Sequence, residues 1–79
     1  MNIKLAILGV LKDCGRWALI TSILKTEVRI RVGGPLGDSE FFDALTQLKD
    51  KGLVNTRIDD ITGDTRYFIT EQGKTALAQ

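Results

Sequence analysis

The apolar positions of the chain change their period as it runs, and each change marks an element. Ile3, Ala6, Ile7, Val10, Leu11 and Cys14 recur at the three- and four-residue spacing of one helix face. A first helix is predicted there, ending near Cys14-Gly15. Leu5 and Leu8 fall on its other side, where a solvated helix would be polar, so either the C-terminal segment or a second subunit must cover them. Ile20, Ile23, Leu24 and Val28 repeat the helical spacing around Thr21, Ser22, Lys25 and Thr26. This predicts a second helix through about Arg29, with irregular chain after it, because Gly33-Gly34-Pro35 closes the segment. Residues 27–32 also alternate like a strand, so the end of this helix is the ambiguous boundary.

Asp38 or Ser39 offers a side-chain cap for a third helix over residues 39–51, with Phe41, Ala44, Leu45 and Leu48 as its buried stripe. Gly52 follows Lys49-Asp50-Lys51 as the residue that ends it. From Leu53 the period becomes two. A tight turn at Thr62-Gly63 would pair Ile58 with Tyr67, Thr56 with Ile69, Asp59 with Arg66 and Arg57 with Phe68. That register turns Ile58, Tyr67 and Ile69 inward, whereas a slip of one residue would bury Arg57 and Asp59. Thr70 then caps a short helix over residues 71–78, with Gly73 as its weak point.

Composition narrows the function. Seventy-nine residues make a single domain, 1–79, small enough that a partner subunit would add stability. Eleven basic against ten acidic residues leave a net charge of +1, so any basic surface is local. There is no His and one Cys, Cys14, which removes the usual zinc sites and the His-dependent catalytic arrangements. An enzyme is not expected, nor a metal or cofactor. The apolar run from Leu5 to Leu11 is too short to span a bilayer and is followed by Lys12-Asp13, so a cytoplasmic protein without membrane association is expected. Gly33-Gly34-Pro35-Leu36-Gly37 lacks the Lys and Ser/Thr of a nucleotide loop, and turn chemistry alone accounts for Asp59, Asp60 and Asp64.

The order is three helices, a hairpin and a short helix, with Arg16-Trp17-Ala18 available as a third strand. Ala44-Leu45-x-x-Leu48-x-x-x-Gly52-Leu53-Val54, Asp64-x-Arg66 and Tyr67-x-Ile69-Thr70-x-x-Gly73 resemble the winged helix-turn-helix domains of PadR-like and MarR-like transcriptional regulators. The resemblance covers the second half of the chain. It implies an α+β winged helix-turn-helix fold with a three-helix core, a two- to three-stranded wing and a short C-terminal helix. The connection from Arg29 to Asp38 is longer than the roughly three or four residues usual in a helix-turn-helix. No counterpart of those families' dimerising helices after the wing is expected, which leaves a bare winged-helix module.

The resemblance implies a DNA-binding regulator whose third helix faces the major groove. That helix presents Ser39, Asp43, Thr46, Gln47 and Asp50, with Glu40 beside them; Ser39, Thr46 and Gln47 suit base or phosphate contacts. Residues 38–52 carry two lysines against four carboxylates and would repel a duplex alone. The compensating charge lies upstream, where residues 16–31 are net +3, so Arg29 and Arg31 are the expected phosphate contacts. Arg57 and Arg66 in the wing are further candidates, although Asp59, Asp60 and Asp64 leave residues 53–70 net negative and Arg66 has a ready partner in Asp59. Trp17 is expected beneath the wing, Phe42 at the edge of the core, and Phe68 on the outer hairpin face beside Arg57. The expected partners are double-stranded DNA and a second copy, as a homodimer through Leu5 and Leu8. The alternative is a winged-helix protein-protein interaction module using the third helix and Phe68.

Overall fold

In the computed structural model, which describes residues 3–14 and 18–78, the elements run α1 (Ile3–Asp13), β1 (Leu19–Ile20), α2 (Thr21–Val32), α3 (Asp38–Asp50), β2 (Val54–Ile58), β3 (Thr65–Ile69) and α4 (Glu71–Ala78). The three strands form one antiparallel sheet in the order β1-β3-β2. The fold is α+β: a winged helix with α1, α2 and α3 around one core and the hairpin as the wing. Ile7, Leu8 and Leu11 from α1, Leu24 and Val28 from α2, Phe41 and Leu48 from α3, and Val54 from β2 are its largest fully buried side chains. On α3 the buried residues are Phe41, Ala44, Leu45 and Leu48, as their spacing requires.

The second helix continues to Val32 rather than stopping near Arg29. Gly33 ends it in the left-handed conformation (φ 80°), and its N–H bonds the carbonyl of Arg29 at 3.0 Å. The β-branched alternation of residues 27–32 did not decide the matter, because Val28 and Val32 fall on one helical face and pack on the core. The connection to α3 therefore shrinks to residues 33–37, anchored by buried Leu36. Neither Asp38 nor Ser39 caps α3. Gly37 is the N-cap, without a side-chain bond, and the carboxylate of Asp38 pairs instead with Lys25 of α2.

The wing is paired two residues away from the expected register: Val54 faces Ile69, Thr56 faces Tyr67, Arg57 faces Arg66 and Ile58 faces Thr65. A slip of two keeps every side chain on its predicted face. What differs is the loop. Asp59 Oδ1 accepts the N–H groups of Ile61 (2.9 Å) and Thr62 (3.2 Å), while the Asp59 carbonyl accepts that of Gly63 (2.8 Å), which stands at φ 76°. These bonds close a four-residue loop over residues 60–63 instead of a two-residue turn. Ile58 is thereby carried past the helices and is 68% exposed, and Val54 occupies the core position. The third strand is Leu19–Ile20, paired with Tyr67 and Arg66; Arg16 and Trp17 lie outside the described residues.

Thr70 locks the wing to α4. Its N–H bonds the Leu53 carbonyl at 3.1 Å, its hydroxyl lies 2.7 Å from the Gly52 carbonyl, and its Oγ1 accepts the Gly73 N–H at 3.1 Å as the N-cap of α4. Gly73 is buried against this junction, where a Cβ would collide with the Leu53 carbonyl and sit 2.6 Å from Ile69 Cγ1. It is a packing requirement, not a weak point.

Candidate nucleic-acid interface

The core stripe of α3 fixes what the helix shows to solvent. Ser39, Asp43, Thr46, Gln47 and Asp50 all stand exposed on the side away from Phe41 and Leu48. Ser39, Thr46 and Gln47 are thus open to solvent.

Beside the N-terminal end of this helix lies a face of α2. Ser22, Lys25, Thr26 and Arg29 recur at the spacing of one helical stripe and line a shallow groove. The Lys25–Asp38 ion pair ties the stripe to the first residue of α3. Thr26 donates its hydroxyl to the Ser22 carbonyl at 3.0 Å, and with Lys25 paired to Asp38 the exposed cation of the stripe is Arg29. Lys25 is the residue that the sequence reading passed over. Its signal lies in the sequence already: it stands four residues before Arg29, on the same side of a helix predicted through about Arg29.

Arg31 does not join them. Two residues along a helix turn a side chain by about 200°, so Arg29 and Arg31 leave α2 on opposite flanks. Arg31 lies over Gly9 of α1 and pairs with Asp13. The Arg31 guanidinium lies directly against Gly9, where a side chain would displace its end. The expectation that both arginines flank α3 is therefore corrected to Arg29 with Lys25.

The wing offers less than its arginines imply. Arg66 Nε bonds Asp59 Oδ2 at 3.1 Å and Nη1 reaches the Ala18 carbonyl at 3.3 Å, so this side chain braces the wing against the approach to β1. Arg57 is exposed and its guanidinium carbon stands 6.0 Å from the centre of the Phe68 ring. Phe68 is half-buried beneath it, on the outer face as expected. The N–H groups of Ile61 and Thr62, with Arg66 behind them, hold the Asp59 carboxyl below the usual carboxylate range. Asp60, Asp64 and the 94% exposed Ile61 complete an acidic, apolar tip.

Between α3 and the wing, Phe42, Leu45, Thr46, Lys49, Asp50 and Tyr67 line a second open groove. Phe42 is partly exposed there and meets Phe41 edge to face at 5.5 Å. Of the proposed dimer pair, Leu8 is 2% exposed and Leu5 is 51% exposed. Leu8 lies inside the core cluster, against which Leu77 is packed, and α4 packs along α1. A homodimer surface made of both leucines is thereby removed. Cys14 is half-buried, and burial with the nearby carboxylates of Glu27 and Asp13 pushes its thiol up, away from the reactive thiolate. Among the described residues no three His, Cys, Asp or Glu side chains converge on a possible metal position, and no helix is long and apolar enough to cross a membrane.

Three packed helices, a three-stranded wing and an exposed third helix define a winged helix-turn-helix domain. The chain belongs to the family of MCM protein C-terminal winged helix-turn-helix domains, whose pattern matches residues 3–62. Its structure is similar to that of F-93 of SSV1 (TM-score 0.80, 26% identity, covering 99% of this chain and 80% of that one). It is also similar to a MarR-family transcriptional regulator from Silicibacter pomeroyi (TM-score 0.77, 22% identity), where the match covers 96% of this chain and 46% of that one. RosR of H. salinarum gives a TM-score of 0.80 at 23% identity, over 99% of this chain and 67% of that one. No curated protein sequence matches the chain.

Proposed function

We propose that this winged helix binds double-stranded DNA as part of a transcriptional regulator, with α3 toward the major groove and Arg29 of α2 on the phosphates, while Lys25 holds Asp38 beside it. The observation that carries this reading is the Ser22–Lys25–Thr26–Arg29 stripe beside the N-terminal end of the exposed α3. The sharing of its fold with transcriptional regulators supports it. Ser39, Thr46 and Gln47 supply neutral hydrogen-bonding groups on the groove-facing side. Arg31 and Arg66 are assigned to holding the fold, and Arg57 is at most a peripheral contact.

Fluorescence anisotropy with a random-sequence duplex tests this directly. Binding that weakens steeply as salt rises is expected, because phosphate neutralisation releases counterions. Absence of binding at low salt would contradict the reading. A second reading, docking of a basic protein segment on α3, is favoured by one observation: Glu40, Asp43 and Asp50 outnumber the cations along that helix. It predicts that the same duplex stays unbound at every salt concentration.

A further inference from the structure

Asp43 occupies the centre of the groove-facing side of α3, between Ser39 one turn before it and Gln47 one turn after. Its carboxylate is exposed, and none of the ion pairs among the described residues involves it. The other carboxylates of α3 are placed differently. Asp38 is paired with Lys25; Glu40 turns toward Gly37, its Oε1 3.7 Å from where a Cβ of that residue would stand; and Asp50 is the last residue of the helix, in the groove beside Lys49 and Tyr67. The N-terminal part of a groove-facing helix meets base edges, while its far end lies against the backbone or solvent. Asp43 is therefore the one carboxylate of α3 in a position to read a base.

An ionised carboxylate accepts hydrogen bonds and donates none. In the major groove, guanine presents two acceptors and thymine an acceptor and a methyl group. Both oppose a carboxylate. Adenine offers its N6 amine beside the N7 acceptor, whereas cytosine offers its N4 amine without a neighbouring acceptor on the same base. On this basis we infer that Asp43 is a specificity-determining residue that selects cytosine at one step of the duplex. The inference rests on the DNA-binding reading above and adds to it a base preference. It also gives the acidic character of α3 a role: the charge lowers general affinity for phosphates, and at Asp43 that loss is exchanged for discrimination.

The test is selection from a duplex library randomised over its central positions, bound at low salt by the wild-type chain, by Asp43→Asn and by Asp50→Asn, with sequencing of the bound fraction. Wild type is expected to enrich cytosine at one position by about tenfold, the usual size of a single good base contact. Asp43→Asn is expected to lose that enrichment and gain adenine at the same position, since an amide pairs with adenine N6 and N7. Asp50→Asn should bind all sequences more tightly and leave the cytosine enrichment in place. Equal enrichment in wild type and Asp43→Asn, or its loss in Asp50→Asn as well, overturns the inference while duplex binding stands. A wild-type chain that retains no duplex at low salt overturns the DNA-binding reading and the inference with it.

Discussion

Asp59 shows how much one side chain sets in a domain of this size. Its carboxylate orders the loop through the N–H groups of Ile61 and Thr62 and orients Arg66, which in turn reaches the Ala18 carbonyl. Because the folded state holds its pKa below the unfolded value of about 3.9, the ionised form contributes stability above that pH and loses it as pH falls through the lower folded value. Thermal melts of wild type and Asp59→Ala should therefore differ near neutrality and converge toward strong acid; a gap that stays constant with pH would contradict this. Leu5 and Leu8 make the complementary case. Leu8→Ala should cost about 3 kcal/mol in urea unfolding, as for a fully buried leucine, whereas Leu5→Ala should stay within about 0.5 kcal/mol. Equal costs would contradict the burial of Leu8. The sequence identified both leucines as lying off the main stripe of the first helix, but which of them is buried depends on how the other elements pack around α1, and no local pattern encodes that.

At the level of elements, the junction of β2, β3 and α4 is decided by opposing terms. Alanine in place of a helical glycine gains about 1 kcal/mol from backbone propensity. At position 73 the added methyl would strike the Leu53 carbonyl, part of the backbone, and overpacking of that kind costs about 1–3 kcal/mol or more. The clash should win, so Gly73→Ala is expected to lower the melting temperature by several degrees; a rise would show that α4 can shift outward at little cost. The elements differ in how legible they were. The stripe of α3 could be read from Phe41, Ala44, Leu45 and Leu48 because one helix face repeats without ambiguity. The end of α2 could not, because residues 27–32 satisfy helix and strand patterns alike and the decision falls to Gly33 and the packing of Val32. The wing faces were legible by parity, whereas its register depended on Asp59 choosing a longer loop.

Across the whole molecule the charge is almost balanced, at +1, so affinity for a polyanion depends on where the charges sit. The extent of α2 sorts its cations: Lys25 and Arg29 fall beside α3, while Arg31 is spent on α1 through Asp13 and its contact with Gly9. This is why the candidate site was only half legible in the sequence. Arg29 and Arg31 look equivalent there, and the helical turn that separates them appears only with the true end of α2. The salt dependence of duplex binding resolves the three positions. For wild type, Lys25→Ala, Arg29→Ala and Arg31→Ala, the slope of log K against log salt should fall by about 0.9 for each phosphate contact removed. The arrangement predicts a reduced slope for Arg29→Ala and a wild-type slope for Lys25→Ala and Arg31→Ala, whose cations are held by Asp38 and Asp13; a wild-type slope for Arg29→Ala or a reduced slope for Arg31→Ala would contradict it.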